Sequence, residues 1–328
     1  MLYLRLSNSS PQTPDGGFEK FYSVKAPPLG AGGAVLLLLL CFSSFSQTRY
    51  EYTHPQMGTM FRIILYANDS LSASYATSKA FSRLDDLNLI LSDYREDSEV
   101  NRLCRTSGTG KYIIISTDLW AILQESVKAA QLSKGYFDVT IGPMTQLWRR
   151  MKRQKQLPSD QQIEDARAKT GIKHIIFNAD NQSVMLKKQG MRIDFGGIGK
   201  GFAEDEMMKV LYENGIKSAM IEAGGNIIVT DSPSDLPKGW EIIINEKKYY
   251  LKNCGISTSG DLYQFVEIEG KKFAHILDPK TGIGFTEPRQ ISVIAKDGTS
   301  SDWLSTALCL MDKKDGRNLV KKLKVRAL

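Results

Sequence analysis

Residues Ile193-Asp194-Phe195-Gly196-Gly197-Ile198-Gly199-Lys200-Gly201 set four glycines around one lysine, between a strand-like run and a helical one. Glycine lets the backbone approach a ligand closely and take positive φ. A helix start beyond such a turn offers unpaired N–H groups and a positive dipole end to phosphate, and Lys200 adds a point charge. The segment matches neither GxxxxGK[ST] nor GxGxxG. A tight strand-to-helix turn uses the same residue types, but glycine density with a lysine favours a ligand cradle.

Ser301-Asp302-Trp303-Leu304-Ser305-Thr306 offers a different chemistry. Positions i and i+4 of a helix share a face, so Asp302 and Thr306, with Ser305 beside them, make a hard-oxygen set of the kind Mg²⁺ takes with water. Read alone, Asp302 would more often cap a helix. Ala274-His275-Ile276-Leu277-Asp278-Pro279-Lys280-Thr281-Gly282 ends a strand pattern in a turn, where His275 and Asp278 are candidates for proton transfer. Glu222-Ala223-Gly224-Gly225-Asn226, Thr258-Ser259-Gly260-Asp261 and Gly135-Tyr136-Phe137-Asp138 read individually as polar glycine turns.

The elements that must position these groups follow from periodicity. Residues 61–66 form an apolar strand-like run. Over 72–92, Ala80, Leu84, Leu87 and Leu91 make one helical stripe. A second helix starts after Ser116-Thr117. Residues 174–177 and 183–186 flank a hairpin turn, and 191–195 reads as a strand leading into the glycine turn and a helix to about Tyr212. Further strands are expected near 218–221, 226–230, 240–245, 248–252, 263–268, 272–277 and 290–296. A helix is expected over 301–311, then a basic amphipathic one. Mixed elements without regular βα alternation predict an α+β fold of largely antiparallel sheets with flanking helices. The basic run Trp148-Arg149-Arg150-Met151-Lys152-Arg153 reads as a solvated helix face, with a membrane or partner surface as the alternative.

Composition bounds the function. Of 328 residues, 42% are hydrophobic and 24% charged, which excludes a disordered chain or a rod. Four cysteines without CxxC spacing argue against a disulfide scaffold or a structural zinc site. A formal charge of +7 suits an anionic ligand, an acidic partner or a membrane surface, and does not by itself argue nucleic acid. Residues 34–42 are an unbroken apolar run, the length of a signal-peptide core and short of the about 20 residues of a membrane span. Ser44-Phe45-Ser46 supplies small residues for cleavage before Gln47. The expectation is a signal peptide over 1–46 with a long n-region, then a single domain over 47–328. Leu40 stands where a lipoprotein signal needs a small residue, so Cys41 is expected to carry no lipid.

Taken in order, these motifs resemble the ApbE-type FAD:protein FMN transferases. The resemblance rests on Met57-Gly58-Thr59, Ser92-Asp93-Tyr94-Arg95-Glu96-Asp97-Ser98-Glu99, Phe137-Asp138-Val139-Thr140-Ile141-Gly142-Pro143, the 193–205 segment, Ala223-Gly224-Gly225-Asn226, Thr258 to Asp261, His275 to Gly282 and Asp302 to Thr306. It implies a two-lobed architecture with the flavin site between lobes. It further implies an exported, periplasmic, Mg²⁺-dependent enzyme that takes FAD as substrate, transfers FMN to a Ser/Thr hydroxyl of a target protein and releases AMP. Met57, Tyr94, Tyr136, Phe137, Asp138, Asp194, Lys200 and Ile276 match flavin and adenosine contacts. Gly197 matches a metal-binding carbonyl, and Asp302, Ser305 and Thr306 match the other metal positions. His275 is the candidate base, with Asp278 as orienter or alternate base. The implied partner is a subunit of a membrane redox complex, with peripheral or inner-membrane association, and no nucleic acid. The chain has no DGxTGAT-like acceptor segment of its own, and the family usually adds a final strand or hairpin beyond the position of Leu328. The alternatives are an FAD pyrophosphatase yielding FMN and AMP, and a non-catalytic periplasmic FAD-binding protein.

Overall fold

The computed structural model describes residues 47–260, 265–268 and 270–328. The expected signal peptide, Cys41 and Asp261 lie outside them. The chain opens with the hairpin β1 (Thr48–Gln56) and β2 (Thr59–Ala67), turning through Met57 and Gly58, both at positive φ (49° and 74°). Then come α1 (Ser70–Leu91), α2 (Glu99–Arg105), β3 (Ile113–Ile114) and α3 (Thr117–Leu132). Asp69, Ser98 and Ser116 cap these helices by accepting from backbone N–H groups two to three residues into each. Pro143 occupies the first turn of α4 (Gly142–Gln154), and a Ser159/Gln162 capping box starts α5 (Asp160–Arg167). A 3₁₀ turn leads to β4 (Ile175–Asn178) and β5 (Ser183–Leu186).

After the glycine turn come α6 (Gly199–Glu213), β6 (Ser218–Ala223), β7 (Asn226–Val229), β8 (Trp240–Ile244), β9 (Lys247–Leu251) and β10 (Cys254–Gly260). The chain ends with β11 (Phe265–Ile268), β12 (Lys271–Ala274), β13 (Gln290–Ala295), α7 (Gly298–Leu310), α8 (Lys313–Leu323) and β14 (Arg326–Ala327). All strand pairs are antiparallel, and the main sheet runs β1-β2-β6-β7-β10-β13-β14.

Strand β2 shows why 61–66 is apolar without alternation. Phe61, Ile63 and Leu65 join the main core with Leu84, Leu87, Leu211 and Leu304, while Ile64 and Tyr66 face Trp240, Ile242 and Ile244 of the β8–β9 hairpin. Both faces are buried, as in strands of covered sheets. A third core joins Met144, Leu147, Trp148 and Met151 of α4 to Val266, Ile268, Phe273 and Leu277, and forms the second lobe. No helix among the described residues is long and apolar enough to cross a membrane.

Most predicted elements stand within a few residues of their expected bounds. Three readings need correction. Residues 191–195 join no ladder. Met191, Ile193 and Phe195 are buried at period two, yet the segment is held by an isolated parallel bridge, Ile141 to Arg192, and by scattered bonds such as Asp194 N–H to the Val139 carbonyl (2.8 Å) and Ile193 N–H to Cys104 Sγ (3.3 Å). Period-two burial reports two environments, not a hydrogen-bonded partner. Strand β12 ends at Ala274, so His275 stands in the turn beyond it. The polar stretch Thr258-Ser259-Gly260 is no turn but the end of central strand β10. Its hydroxyls are satisfied sideways: Ser257 Oγ donates to Asn226 Oδ1 (2.5 Å), Thr258 shares a hydrogen bond with Ser292 (2.8 Å), and Ser259 with Ser305 (2.8 Å).

Helices α6 and α7 touch backbone to backbone. A Cβ at Gly201 would lie 2.2 Å from the Gly298 carbonyl oxygen, and one at Gly298 would lie 2.8 Å from that of Gly201. Gly201→Ala should therefore destabilise by about 1–3 kcal/mol through overpacking against atoms that cannot rotate away. The drop should appear in the chemical-denaturation midpoint, and an unchanged midpoint would mean that the helices separate freely.

Candidate active site

The glycine crossing brings α7 onto the start of α6. Asp302, 2% exposed, accepts a hydrogen bond from the Gly201 N–H (2.9 Å). Ile198, at the N-cap position of α6, supplies no side-chain cap; the Asp302 carboxylate, from α7, takes its place at one of the first N–H groups. Asp205, one turn along α6, caps α7 in return: its carboxylate accepts from Gly298 N (2.7 Å), Thr299 N (2.8 Å) and Thr299 Oγ1 (2.5 Å). Burial, only partly offset by these bonds, raises the Asp205 pKa to about 6.

The expected metal positions converge. A Cβ at Gly197 would sit 3.1 Å from both Oγ1 and Cγ2 of Thr306, so the glycine lets its backbone reach that hydroxyl. Ser259 Oγ lies 2.8 Å from Ser305 Oγ and 3.3 Å from Thr306 Oγ1. Ser305 is wholly buried and its hydroxyl donates to the Asp302 carbonyl (2.9 Å), so its proton is engaged within the helix.

Sequence reasoning missed Glu204. It is 0% exposed, and neither carboxylate oxygen has a hydrogen-bond partner. Burial, then the negative charges of Asp302 and Asp205, hold its pKa well above the ordinary carboxyl range, against the opposing pull of Lys200. A signal was present: Glu204 and Asp205 fall three and four residues after Gly201, on the helix face that the glycine buries. An orphaned carboxyl beside Asp302, with hydroxyls and a backbone approach at Gly197, fits a hard divalent cation. Among the described residues no three His, Cys, Asp or Glu side chains converge as a metal group, so such an ion would rely on hydroxyl, carbonyl and water oxygens.

Of the flavin-contact candidates, Asp194 and Phe137 adjoin the glycine turn. Asp194 Oδ1 accepts from the Gly196 N–H (2.8 Å), and Oδ2 lies 3.4 Å from Arg149 Nη2. Arg149 Nη1 donates to Asp93 Oδ2 (2.6 Å), and the guanidinium lies 4.0 Å from the Tyr94 ring centroid. Burial and the Asp194 charge raise the Asp93 pKa, opposed by Arg149. Tyr94 itself is 77% exposed, a large aromatic face held at its base by the arginine. Asp93 and Arg149 were not among the expected site residues. Asp93 stands in a quoted motif, but no sequence spacing ties it to Arg149.

Phe137 is buried between Gly197 and Trp303, whose ring centroid is 6.1 Å away. Lys280 Nζ lies 3.5 Å from the Tyr136 ring centroid. Asp138 turns inward, with Oδ1 accepting from Thr140 N (2.8 Å) and Thr140 Oγ1 (2.6 Å), and burial raises its pKa. It shapes the entry to α4. Asp278 Oδ1 accepts from Lys280 N (2.8 Å) and closes its turn. His275 is exposed just after β12, and Ile276 is half-buried beside it. Met57 sits at the β1–β2 tip in the left-handed region, a conformation disfavoured for a side chain with a Cβ.

A glycine-rich helix start facing an oxygen-donor cluster, on an α+β scaffold of two lobes, defines the class of protein. The chain belongs to the ApbE family, whose match spans residues 57–328. A FAD:protein FMN transferase of Haemophilus influenzae is 30% identical over 272 residues, 78% of each chain. One from Vibrio cholerae is 28% identical over 297 residues, 85% of this chain and 86% of its own. The apo form of Pseudomonas stutzeri flavinyl transferase ApbE is similar in structure, with a TM-score of 0.77 at 25% identity, over 87% of this chain and 91% of its own. The Thermotoga maritima ApbE protein gives 0.76 at 27% identity, over 86% and 94%.

The raised Glu204 pKa has a pH consequence. Above the ordinary carboxyl value of about 4.3 the unfolded chain releases this proton while the folded chain keeps it. Stability from this group is therefore greatest in acid and declines as pH rises toward the folded value. In chelator-treated buffer, Glu204→Gln should gain melting temperature relative to the parent between about pH 5 and about pH 8. A constant difference across that range would mean that Glu204 is already ionised in the fold.

Proposed function

We propose that this chain is an exported, Mg²⁺-dependent FAD:protein FMN transferase acting in the periplasm. The observation that carries the reading is the close approach of Gly197 to Thr306, with Asp302 and Lys200 at the same helix start. The names of the related transferases support it. FAD is the substrate. Tyr94, Met57, Tyr136, Phe137, Asp138, Asp194 and Ile276 surround it, and Lys200 faces its pyrophosphate.

A magnesium ion held by the Gly197 carbonyl, Asp302 and Thr306, with Ser305 behind them, would neutralise pyrophosphate charge as phosphoryl transfer proceeds. The acceptor hydroxyl oxygen bonds to the FMN-side phosphorus, the anhydride P–O bond breaks, and AMP leaves with the bridging oxygen. His275 takes the hydroxyl proton, since a Ser or Thr hydroxyl is a weak nucleophile at neutral pH. Asp278 holds the turn from which His275 projects. The acceptor is a Ser/Thr-bearing subunit of a membrane redox complex.

Asp302→Asn keeps an oxygen for the Gly201 N–H but removes the charge. It should cut FMN transfer by at least about 100-fold, the scale of a lost charge clamp, while far-UV circular dichroism stays that of the parent. Parent-rate transfer under limiting Mg²⁺ would remove Asp302 from the metal set. His275→Ala should slow transfer at saturating FAD by roughly two to four orders of magnitude. Weaker FAD binding with an unchanged maximal rate would make His275 a ligand contact instead. Transfer is read as in-gel flavin fluorescence on the acceptor and AMP release by chromatography.

A further inference from the structure

On the second lobe, α4 and α5 enclose a groove of about 760 Å³ that runs from Tyr94 and Asp93 to Gly190 and Arg192. Its lining holds five cations, Arg149, Arg150, Arg153, Lys169 and Arg192, against two carboxylates, Asp93 and Asp165. Arg149 is committed to Asp93 and Asp194. Asp165 accepts from Gln161 (2.9 Å). None of the other four cations has an ion-pair or side-chain hydrogen-bond partner among the described residues.

A helix C-terminus favours basic residues, and this accounts for Arg153 in the last turn of α4. Lys169, just past the C-cap Ala168 of α5, fits the same rule, but Arg150 and Arg192 do not. The Lys169 stem is pressed against Gly190, where a Cβ would lie 3.1 Å from Lys169 Cδ. Four unpaired cations from three segments repel one another, and a polyanion in the groove would relieve that repulsion.

We propose that this groove docks an acidic segment of the acceptor protein, which rests on the transferase reading above. The cations line a concavity between two helices, which an extended peptide can enter and a flat bilayer cannot. The groove also opens at Tyr94, whose neighbour Asp93 is tied through Arg149 to Asp194 at the glycine turn, so a chain held there ends beside the flavin contacts. The role is recruitment and orientation by charge complementarity, felt chiefly in encounter rate and acceptor KM.

The test uses the chain from Gln47 onward and a fluorescein-labelled ten-residue peptide of alternating glutamate and glycine, with its glutamine counterpart as control. By fluorescence anisotropy at low salt the parent should bind the acidic peptide, and binding should fade as salt is raised. Arg150→Glu with Arg153→Glu should weaken it by about ten-fold or more, given four units of charge changed at an exposed site. Arg150→Lys with Arg153→Lys should retain it. Flavin-fluorescence titration should give both variants the parent's FAD affinity.

Absence of acidic-peptide binding, or equal binding by the glutamate variant, overturns the proposal. Displacement of bound peptide by FAD would assign the cations to FAD phosphates. Co-sedimentation with phosphatidylserine vesicles that the glutamate variant loses, while it keeps the peptide, would assign them to lipid. FMN transfer to a flavin-acceptor protein, read as in-gel flavin fluorescence with AMP release, is measured on the same preparation. Peptide binding without it would sink the transferase reading and leave an acidic-segment groove without its named partner. FMN transfer without peptide binding would sink the groove alone.

Discussion

Gly201 and Gly298 let two helices meet with no side chain between them, and the site is organised around that contact. The approach is what allows Asp302 to reach a backbone N–H of α6 and Asp205 to cap α7 in return. It also carries Glu204 into an interior without hydrogen-bond partners. A larger residue at either glycine would part the helices and, with them, Gly197 from Thr306. The same contact thus sets the main core and gathers negative charge at one end of it. Buried carboxyls in that number are disfavoured unless protonated or balanced by a cation.

The second lobe is tied to this centre by a different means. Arg149 extends from α4 to Asp93 and Asp194, which flank the two motifs on the main body. Its flat guanidinium also supports the Tyr94 ring. Arginine suits this place because it can satisfy two carboxylates and stack at once, which a lysine cannot do. On the other side, Lys280 of the second lobe lies over Tyr136, which packs against the main core. The lobes therefore meet through fixed polar contacts, and the aromatic groups between them are held rather than loose.

Local signals in the chain were legible where one face or one cap decides the structure. The stripe of Ala80, Leu84, Leu87 and Leu91 is buried on α1, and Ser116 caps α3 as its type and place suggest. The ordered motifs identified the family and drew Gly197, Asp302 and Thr306 into one expected group. What escaped was set by partners distant in sequence. Strand β10 looked like a turn because its hydroxyls are matched by Asn226, Ser292 and Ser305, far along the chain. Residues 191–195 looked like a strand because both environments alternate there, although no ladder forms. Asp93 and Arg149 carry no mutual spacing, and an acidic pair on α6 acquires meaning only once α7 is laid across it.

The order of the main sheet bears on when this protein can finish folding. Strand β2 pairs with β6, and the Arg62–Glu222 ion pair that crosses them joins residues 160 apart. The first hairpin can close locally, but its second edge must wait until most of the chain has emerged from the ribosome or crossed any membrane it is threaded through. Closing so long a loop is entropically slow, and topologies rich in such pairings fold late and cooperatively. Until β6 arrives the inner edge of β2 stays open; α1, next in the chain, can pack on its Phe61, Ile63 and Leu65 face, while the Ile64 and Tyr66 face waits for the later β8–β9 hairpin. A nascent chain of this architecture is thus a natural client for holding factors that keep edges apart, and its exposure ends only when the middle of the sheet is delivered.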